Sequence, residues 1–467
     1  MSAAVSTAGW QLVGEAAVAQ AEGRARGCAR PVRLTGRTTR VDSRTGAVLS
    51  SYGSADELDG VTYRRCQDRR AAICPSCSRE YKGDAWHLLA CGLAGGKSVP
   101  ASVAGHPATF ATLTAPSFGP VHGLRQSGPC RARRDRPTCQ HGRPLFCARR
   151  HAADDPRLGR PLCADCYDYE GHVLWQFFAP ELWRRFTIAL ARALAADCGL
   201  TAGQFRARCR VGYAKVVEFQ ARGIVHVHVP IRLDGPDGPD SPPRVDVDAD
   251  QLGRAVLAAA AAVRFVVDGL PGRPAVALRW GAQVDVRPIM SGADRDGRSG
   301  PAHPEQVAAY LAKYLTKACE DFGLPRRVPT AAHAAAAGAS PHAVRIVATA
   351  EKLAAAGGAA YGRLGACLAT LGYRGHPVTK SRRFSITFGA LRRARAEHYR
   401  RSPGLHPDAA VRELPADDDD PDVVVHRDWA YAGRGYLTID AAAQAVRSAC
   451  LARSRRAAAA PVPDEQL

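Results

Sequence analysis

Apolar and polar residues alternate strictly from Val225 to Val229, the pattern of a β-strand with one buried face. The valines share one side of this strand and predict contact with a core, whereas His226 and His228 share the other side. Upstream, the segment VGYAKVVEFQ also predicts a strand, and the loop Ala221–Gly223 has the length and the final glycine of a tight hairpin connection. The pattern therefore predicts an antiparallel hairpin with two histidines on its polar face.

Pairing the two strands about Arg222 places Glu218 directly opposite His226, with His228 two residues farther along the same face. Two imidazoles and one carboxylate on one face can hold a divalent cation and leave coordination positions for a substrate. Mixed nitrogen and oxygen donors suit Mg²⁺, Mn²⁺ or Zn²⁺ and do not choose among them. The alternative is a solvated polar stripe on an edge hairpin.

Apolar residues recur with helical spacing in 180–196, in 250–267 and from residue 304 onwards. Further strands are predicted for TFATLTAP (109–116) and for QVDVRPI (283–289). Composition divides the chain into a flexible N-terminus (1–27), a cysteine-containing module with a helix (28–100), a core with a second cysteine region inserted at about 130–170 (101–323), an Ala/Pro-rich linker (324–345) and a basic C-terminal region (346–467).

The predicted helix after residue 304 contains YLAKYLTK, which places Tyr310 and Tyr314 on one helical face. Lys313 and Lys317 each follow a tyrosine by three residues. An aromatic pair with this spacing is typical of a helix that faces a core. A tyrosine can also attack a phosphodiester when cationic groups stabilise the phosphate charge, so spacing alone leaves both interpretations open.

Basic residues outnumber acidic residues by 64 to 44 in this chain of 467 residues, a formal net charge of +20. An excess of this size predicts a polyanionic partner, with nucleic acid ahead of a membrane surface, although a coding bias towards Ala and Arg explains part of it. The segment TKSRRFSITFGALRRAR interleaves cations with Phe384 and Phe388, as either a DNA-binding surface or a solvated basic face over buried rings. The residues predicted to contact DNA are Arg64, Arg65, Lys380, Arg382, Arg383 and Arg392.

No apolar run reaches about 18 residues and the N-terminus lacks a secretory signal pattern, so we expect a cytoplasmic protein without membrane contact. Its 15 cysteines should then be reduced, and clustered ones are better explained as structural zinc ligands than as disulfides. The two predicted zinc sets are Cys28, Cys66, Cys74 and Cys77, and Cys139, Cys147, Cys163 and Cys166. His141 and His151 are possible substitutes in the second set, and Cys130 is undecided. The cysteines without partners at ligand spacing are Cys91, Cys198, Cys209, Cys319, Cys367 and Cys450.

Three motifs, in this order, resemble those of the HUH endonucleases that initiate rolling-circle replication. FATLT (Phe110–Thr114) is similar to the first motif, His226-Val227-His228 to the second, and Tyr-x-x-Lys, present twice, to the third. Longer stretches, among them CPSCSREYKGDAWHLL, FATLTAPSFGPVH and GYRGHPVTKSRRFSITFGALR, resemble the RepSA-type replication initiators of actinobacterial plasmids and integrative conjugative elements. The resemblance covers roughly residues 28–450.

The resemblance implies an α+β fold: an HUH endonuclease core, with a central antiparallel sheet flanked by helices, carries N-terminal and inserted zinc modules and a helical basic C-terminal region. It implies plasmid origin DNA, single-stranded at the nick site, as the substrate, and a 5′-phosphotyrosine and a free 3′-OH as the products. A host DNA polymerase and a host helicase are the implied partners. The residues implied to hold Mg²⁺ or Mn²⁺ are Glu218, His226 and His228. The residues implied to act in cleavage are Tyr310, Tyr314, Lys313 and Lys317.

Two other functions fit parts of this pattern. A transposase or a conjugative relaxase would use the same chemistry, but relaxases often carry their tyrosine ahead of the histidines, whereas here it follows them. A zinc-bearing DNA-binding regulator would use the tyrosines only as core residues. Metal-dependent nicking separates the enzymes from the regulator.

Overall fold

The computed structural model describes residues 25–268, 274–290, 301–316, 322–357, 361–401 and 422–459. The chain forms two units: Met1–Asp84 with Thr387–Leu467, called the terminal unit here, and Ala85–Ile386, called the central unit. Lys317, Cys319 and most of the N-terminal segment 1–27 lie outside the described residues.

The described elements, in chain order, are β1 (Val32–Asp42), β2 (Val48–Gly53), β3 (Thr62–Arg64), α1 (Pro75–Ala94), β4 (Ala108–Leu113), α2 (Tyr169–Asp197), α3 (Ala202–Arg208), β5 (Arg210–Phe219), β6 (Val225–Asp234), α4 (Ala249–Ala262), β7 (Phe265–Val267), β8 (Val276–Leu278), β9 (Val284–Pro288), α5 (Pro304–Tyr314), α6 (Ala331–Ala336), α7 (Pro341–Ala356), β10 (Val378–Lys380), α8 (Phe388–Arg401), β11 (Val423–Arg434) and α9 (Ile439–Ala459). The chain is therefore mixed α+β.

The central unit is built on a five-stranded sheet with the order β10-β5-β6-β4-β9, in which each pair is antiparallel. The β5–β6 hairpin has the register predicted from the sequence, with Glu218 paired to His226. The two strands predicted at 109–116 and 283–289 are β4 and β9, and β4 lies directly beside β6. The sheet thus brings the FATLT strand next to the histidine strand.

The apolar face of this sheet packs on helices. Val225, Val227 and Val229 are at most 2% exposed and belong to one core cluster with side chains of α2, α4 and α7. Burying each such side chain stabilises the fold by about 1.5–3 kcal/mol. Among the described residues, no single helix has the length and composition of a membrane span; α2 and α3 reach that threshold only as a pair bent by 90°.

The segment 324–345 differs from its predicted role as a linker. It forms α6 and the start of α7, and Ala343, Ile346 and Val347 of α7 are fully buried in the central core. The alanine-rich composition of this segment suggested a linker. Alanine is, however, the best helix former, and its small side chain lets helices pack closely. The predicted C-terminal region also divides, because residues up to Ile386 belong to the central unit.

The terminal unit contains a second antiparallel sheet, in which β1 pairs with β11, β2 and β3. Strand β11 runs along the full length of β1, from Val32 opposite Arg434 to Asp42 opposite Val423. Two segments from opposite ends of the sequence therefore form one sheet.

Lys215 is an exception to the apolar face of the central sheet. It lies on β5, is only 4% exposed, and its Nζ is 5.7 Å from the ring centroid of Trp183. Burial lowers the pKa of Lys215 from 10.5 to about 8. The charged amine therefore opposes folding at neutral pH.

We expect Lys215→Met to raise the free energy of unfolding at pH 7 by about 1–3 kcal/mol, because it removes the cost of burying an ammonium group. Between pH 8 and pH 10.5 the unfolded wild-type chain binds more protons than the folded chain. Wild-type stability should therefore gain from this group as pH rises through that range, and the gain should be absent from the variant. Urea unfolding at pH 7 and at higher pH measures both effects. Exposed Lys352→Met is the matched control, and destabilisation by Lys215→Met would contradict the expectation.

Candidate active site and metal centres

Glu218, His226 and His228 lie on one face of the central sheet, on strands β5 and β6. Glu218 faces His226 across the ladder, and its Oε2 is 3.0 Å from Nε2 of His228. Burial, reinforced by the neighbouring His228, lowers the pKa of His226 to about 3. The His226 imidazole is therefore neutral, which is the form that binds metal ions.

Thr112 orients His228 from the neighbouring strand β4. It is the register partner of His228, and its Oγ1 lies 3.0 Å from Nδ1 of that ring. Because Nδ1 of His228 contacts Thr112, its other ring nitrogen, Nε2, points at Glu218. Hydrogen-bond partners of metal-binding histidines orient the ring in the same way. Thr112 was not predicted as a site residue, because a contact across 116 residues leaves no local signal in the sequence.

Helix α5 brings both tyrosines against His228. The ring centroid of His228 is 5.6 Å from that of Tyr310 and 5.8 Å from that of Tyr314, and the two tyrosine rings are 4.8 Å apart. Burial, followed by a hydrogen bond to Tyr314, raises the pKa of Tyr310, so its phenol is protonated at neutral pH. Lys313 is exposed on the same helix, and Lys317 lies outside the described residues.

The two nitrogens and one carboxylate suit a divalent cation by their chemistry. In this conformation, however, the carboxylate and His228 contact each other directly. The ligand atoms of Glu218, His226 and His228 are not among the described groups that gather within 4.8 Å of one another. A cation bound here would replace the hydrogen bond between Glu218 and His228.

The first predicted zinc set comes together in the terminal unit. Cys28, Cys66, Cys74 and Cys77 place their sulfurs within 4.8 Å of one another, with separations of 3.6–3.8 Å between Cys28 or Cys66 and their neighbours. Tetrahedral zinc with bonds of about 2.3 Å requires sulfurs about 3.8 Å apart, so the spacing fits the ion. Backbone N–H groups of Ala29 and Cys66 donate to two of the sulfurs, which favours thiolates.

The second predicted zinc set is wrong in one member. The structure groups Cys139, Cys163 and Cys166 with His141, the possible substitute, and the His141 Nδ1 is 3.3 Å from the Cys166 sulfur. Cys147 lies elsewhere because its backbone pairs with Arg131, through two hydrogen bonds of 2.9 and 3.0 Å.

Cys147 instead belongs to a third set, with His122, Cys130 and His151. Nε2 of His151 is 3.5 Å from the Cys147 sulfur and 3.1 Å from Nδ1 of His122. The other ring nitrogen of His151 is 2.7 Å from Asp155, the carboxylate–histidine arrangement that supports metal ligands. No member of this set stands in a C-x2-C pair, so spacing did not indicate it. Cys147 and, as a possible substitute, His151 were assigned to the second set, and Cys130 was undecided.

The arginines predicted to contact DNA differ in their exposure and in their partners within the protein. Arg65 is engaged within the terminal unit, where it donates to Ser76 and lies 3.4 Å from Glu80, whereas Arg64 is exposed. Arg392 is exposed and donates to Gln67.

The rings of the basic segment are occupied inside the protein rather than free to stack on bases. Phe384 is fully buried with Arg232 over its face, and Phe388 stacks on Tyr81 at 5.0 Å. Among the basic residues of this segment, Arg382 and Arg383 are exposed, and Arg383 donates to the carbonyl of Asp237. Burial lowers the pKa of Lys380, whose amine faces backbone carbonyls.

We expect the purified protein to contain three zinc ions per chain, one for each set. Cys147→Ser should reduce the content to two, because it removes a ligand of the third set and leaves the set at Cys139 intact. Elemental analysis against protein concentration measures the ratio, with exposed Cys450→Ser as control. A content of two ions in both the wild-type protein and Cys147→Ser would contradict the third site.

Comparison with known proteins places these features in a family. The model of the RepSA family, described as the pSAM2 replication initiator protein, matches residues 15–449. A replication initiator protein of Streptomyces ambofaciens is 41% identical over 445 residues, covering 94% of this chain and 90% of the relative. No solved structure matches the chain. With a match across nearly its whole length, the chain belongs to the RepSA family of replication initiator proteins.

Proposed function

We propose that this initiator is a metal-dependent HUH-type endonuclease that nicks the plasmid origin by tyrosine attack and starts rolling-circle replication. The observation that carries the proposal is the position of His228, whose ring contacts Glu218 on one side and both tyrosines of α5 on the other. A core-facing aromatic pair would require no such neighbours. Membership in a replication initiator family supplies origin DNA as the substrate.

In the proposed reaction, Tyr310 or Tyr314 attacks the scissile phosphorus. The phenol loses its proton, a bond forms between its oxygen and phosphorus, and the bond from phosphorus to the 3′ oxygen breaks. The 3′ oxygen takes up a proton and becomes the primer for a host polymerase, while the 5′ end stays on the tyrosine. Two tyrosines four residues apart would allow a second transfer that rejoins the strand at termination.

Glu218, His226 and His228 are the proposed ligands of Mg²⁺ or Mn²⁺. A bound cation would stabilise the charge on the scissile phosphate and lower the barrier to attack. Thr112 would hold His228 in its binding orientation. Exposed Lys313, and Lys317 beyond it, would contribute positive charge near the phosphate.

The raised pKa of Tyr310 has a consequence for this reaction. A buried, protonated phenol is a weak nucleophile, so a neighbouring group must accept its proton during attack. Tyr314 is hydrogen-bonded to Tyr310, and the nearby Glu218 also raises the pKa of the Tyr310 phenol. Glu218 is therefore the proposed acceptor of the proton that the Tyr310 phenol loses during attack.

The zinc sets are proposed to be structural, since four protein ligands leave no open coordination position. Their role would be to hold segments that contain few regular elements. The host helicase is a further proposed partner, because unwinding beyond the nick requires an activity outside this site.

Tyrosine-to-phenylalanine variants test the proposal directly. With Mn²⁺ and labelled single-stranded origin DNA, the wild-type protein should form a covalent adduct on a denaturing gel, and EDTA should abolish it. We expect the double variant Tyr310→Phe/Tyr314→Phe and the variant His226→Ala to form none. Tyr213→Phe, half-buried on the opposite face of β5, should retain the adduct.

Two results would count against the assignment. Adduct in the double variant would exclude these tyrosines as the nucleophiles. Tight binding of origin DNA with no adduct under any metal would favour a zinc-bearing regulator.

Thr112→Val should reduce the rate of adduct formation at low Mn²⁺ by about 10–100-fold, because the ring of His228 loses its orienting hydrogen bond. Saturating Mn²⁺ should recover much of the loss, and Thr112→Ser, which keeps the hydroxyl, should behave as the wild-type protein does. The measurement is the Mn²⁺ dependence of the initial rate. An unchanged Mn²⁺ dependence in Thr112→Val would show that this hydrogen bond has no role in metal binding.

A further inference from the structure

A pocket of about 390 Å³ opens on one face of the β1–β11 sheet in the terminal unit. It contains none of the residues proposed for cleavage. Its lining combines guanidinium groups, two aromatic rings and several hydroxyl groups. The residues that the argument uses are Arg40, Arg64, Arg427, Trp429, Tyr52 and Thr38.

The pocket is positively charged. Arg40, Arg64 and Arg427 come from three different strands and share one lining. Nε of Arg40 is buried and has no hydrogen-bond partner in the described structure. Glu57 accepts a hydrogen bond from the pocket residue Tyr52. Three guanidinium groups around one small cavity suit a phosphate-bearing ligand.

The aromatic rings are held in fixed positions. Nε1 of Trp429 donates to Oγ1 of Thr38 over 2.8 Å, and the Tyr52 hydroxyl donates to Glu57 and lies 2.9 Å from Oγ1 of Thr62. The two ring centroids are 5.9 Å apart and the planes are inclined by 34°. Rings that are already oriented lose little freedom when a flat ligand stacks on them.

We propose that this pocket binds one nucleotide of single-stranded DNA, with the base on Trp429 and the flanking phosphates on Arg40 and Arg427. A recessed aromatic ring is reached by an unpaired base, whereas the bases of a duplex are stacked on one another. The inference rests on the DNA partner of the RepSA family and is independent of the nicking chemistry.

Binding of the full-length protein to a fluorescent oligothymidylate of about 12 nucleotides, a length within the range of single-stranded sites, tests the pocket. We expect Arg40→Gln and Arg427→Gln each to weaken binding about three- to tenfold and to reduce the salt dependence, by about 0.7 in the logarithmic slope for each lost phosphate contact. Trp429→Leu should weaken binding about tenfold and leave that slope unchanged, because stacking releases no counterions.

Arg37→Gln is the matched control, since Arg37 is an exposed arginine on the other face of the same strand. Duplex DNA of mixed sequence should lose less than about twofold in affinity with every variant. Zinc content and circular dichroism establish that each variant is folded, and Arg427, an exposed side chain, is the substitution least able to disturb the sheet.

Unchanged oligothymidylate affinity in folded Arg427→Gln and Trp429→Leu would overturn the proposal. Equal losses on single-stranded and duplex DNA would overturn it too, because the pocket would then contact backbone regardless of strandedness. Adduct formation on a short origin oligonucleotide reports on the tyrosine site separately. A wild-type protein without adduct, but with pocket-dependent binding, would refute the proposed function and support the pocket.

Discussion

The alternation of side chains along β6 is the constraint on which the central unit depends. Successive residues of a strand point to opposite faces, so the segment that buries three valines also presents His226 and His228 on the other side. A slip of one residue against β5 would turn the valines away from the helices of the core and place the histidines among them. The hydrophobic effect that stabilises the core therefore also fixes the position of Glu218 relative to His226. No further interaction is needed to align the two strands of the candidate site.

A different kind of interaction organises the chain between β4 and α2. In that described segment the backbone pairs only through isolated bridges, and it contains few buried apolar residues. Two groups of cysteine and histidine side chains that could hold metal ions gather in this segment. Because these side chains meet only in the folded state, the free energy of binding a metal there would contribute to folding. His122 belongs to one of these groups and also lines the cleft that reaches His226, so this segment borders the sheet face that carries the candidate site.

Local patterns predicted the parts of this site that depend on neighbours in sequence. The hairpin register followed from a three-residue loop, and the tyrosine face of α5 followed from helical spacing. Pairing between distant segments left no such signal, which is why the contact of Thr112 with His228 and the position of Cys147 emerged only from the structure. The alanine-rich segment 324–345 was misjudged for another reason: composition suggested a linker, while burial by neighbouring helices decided the outcome. The RepSA family was identifiable from longer stretches of sequence such as CPSCSREYKGDAWHLL and FATLTAPSFGPVH.

The pairing of β1 with β11 has a consequence for synthesis of the protein. Trp429 bonds to Thr38 across 391 residues, so β1 leaves the ribosome long before its partner strand exists. At ordinary elongation rates of about 5–20 residues per second, the wait is on the order of 20–80 s. During that time one long edge of β1 is unpaired, and such edges favour association with other chains. A chain that ends before β11 cannot complete this sheet, and the open edge of its β1 stays available for association with other chains.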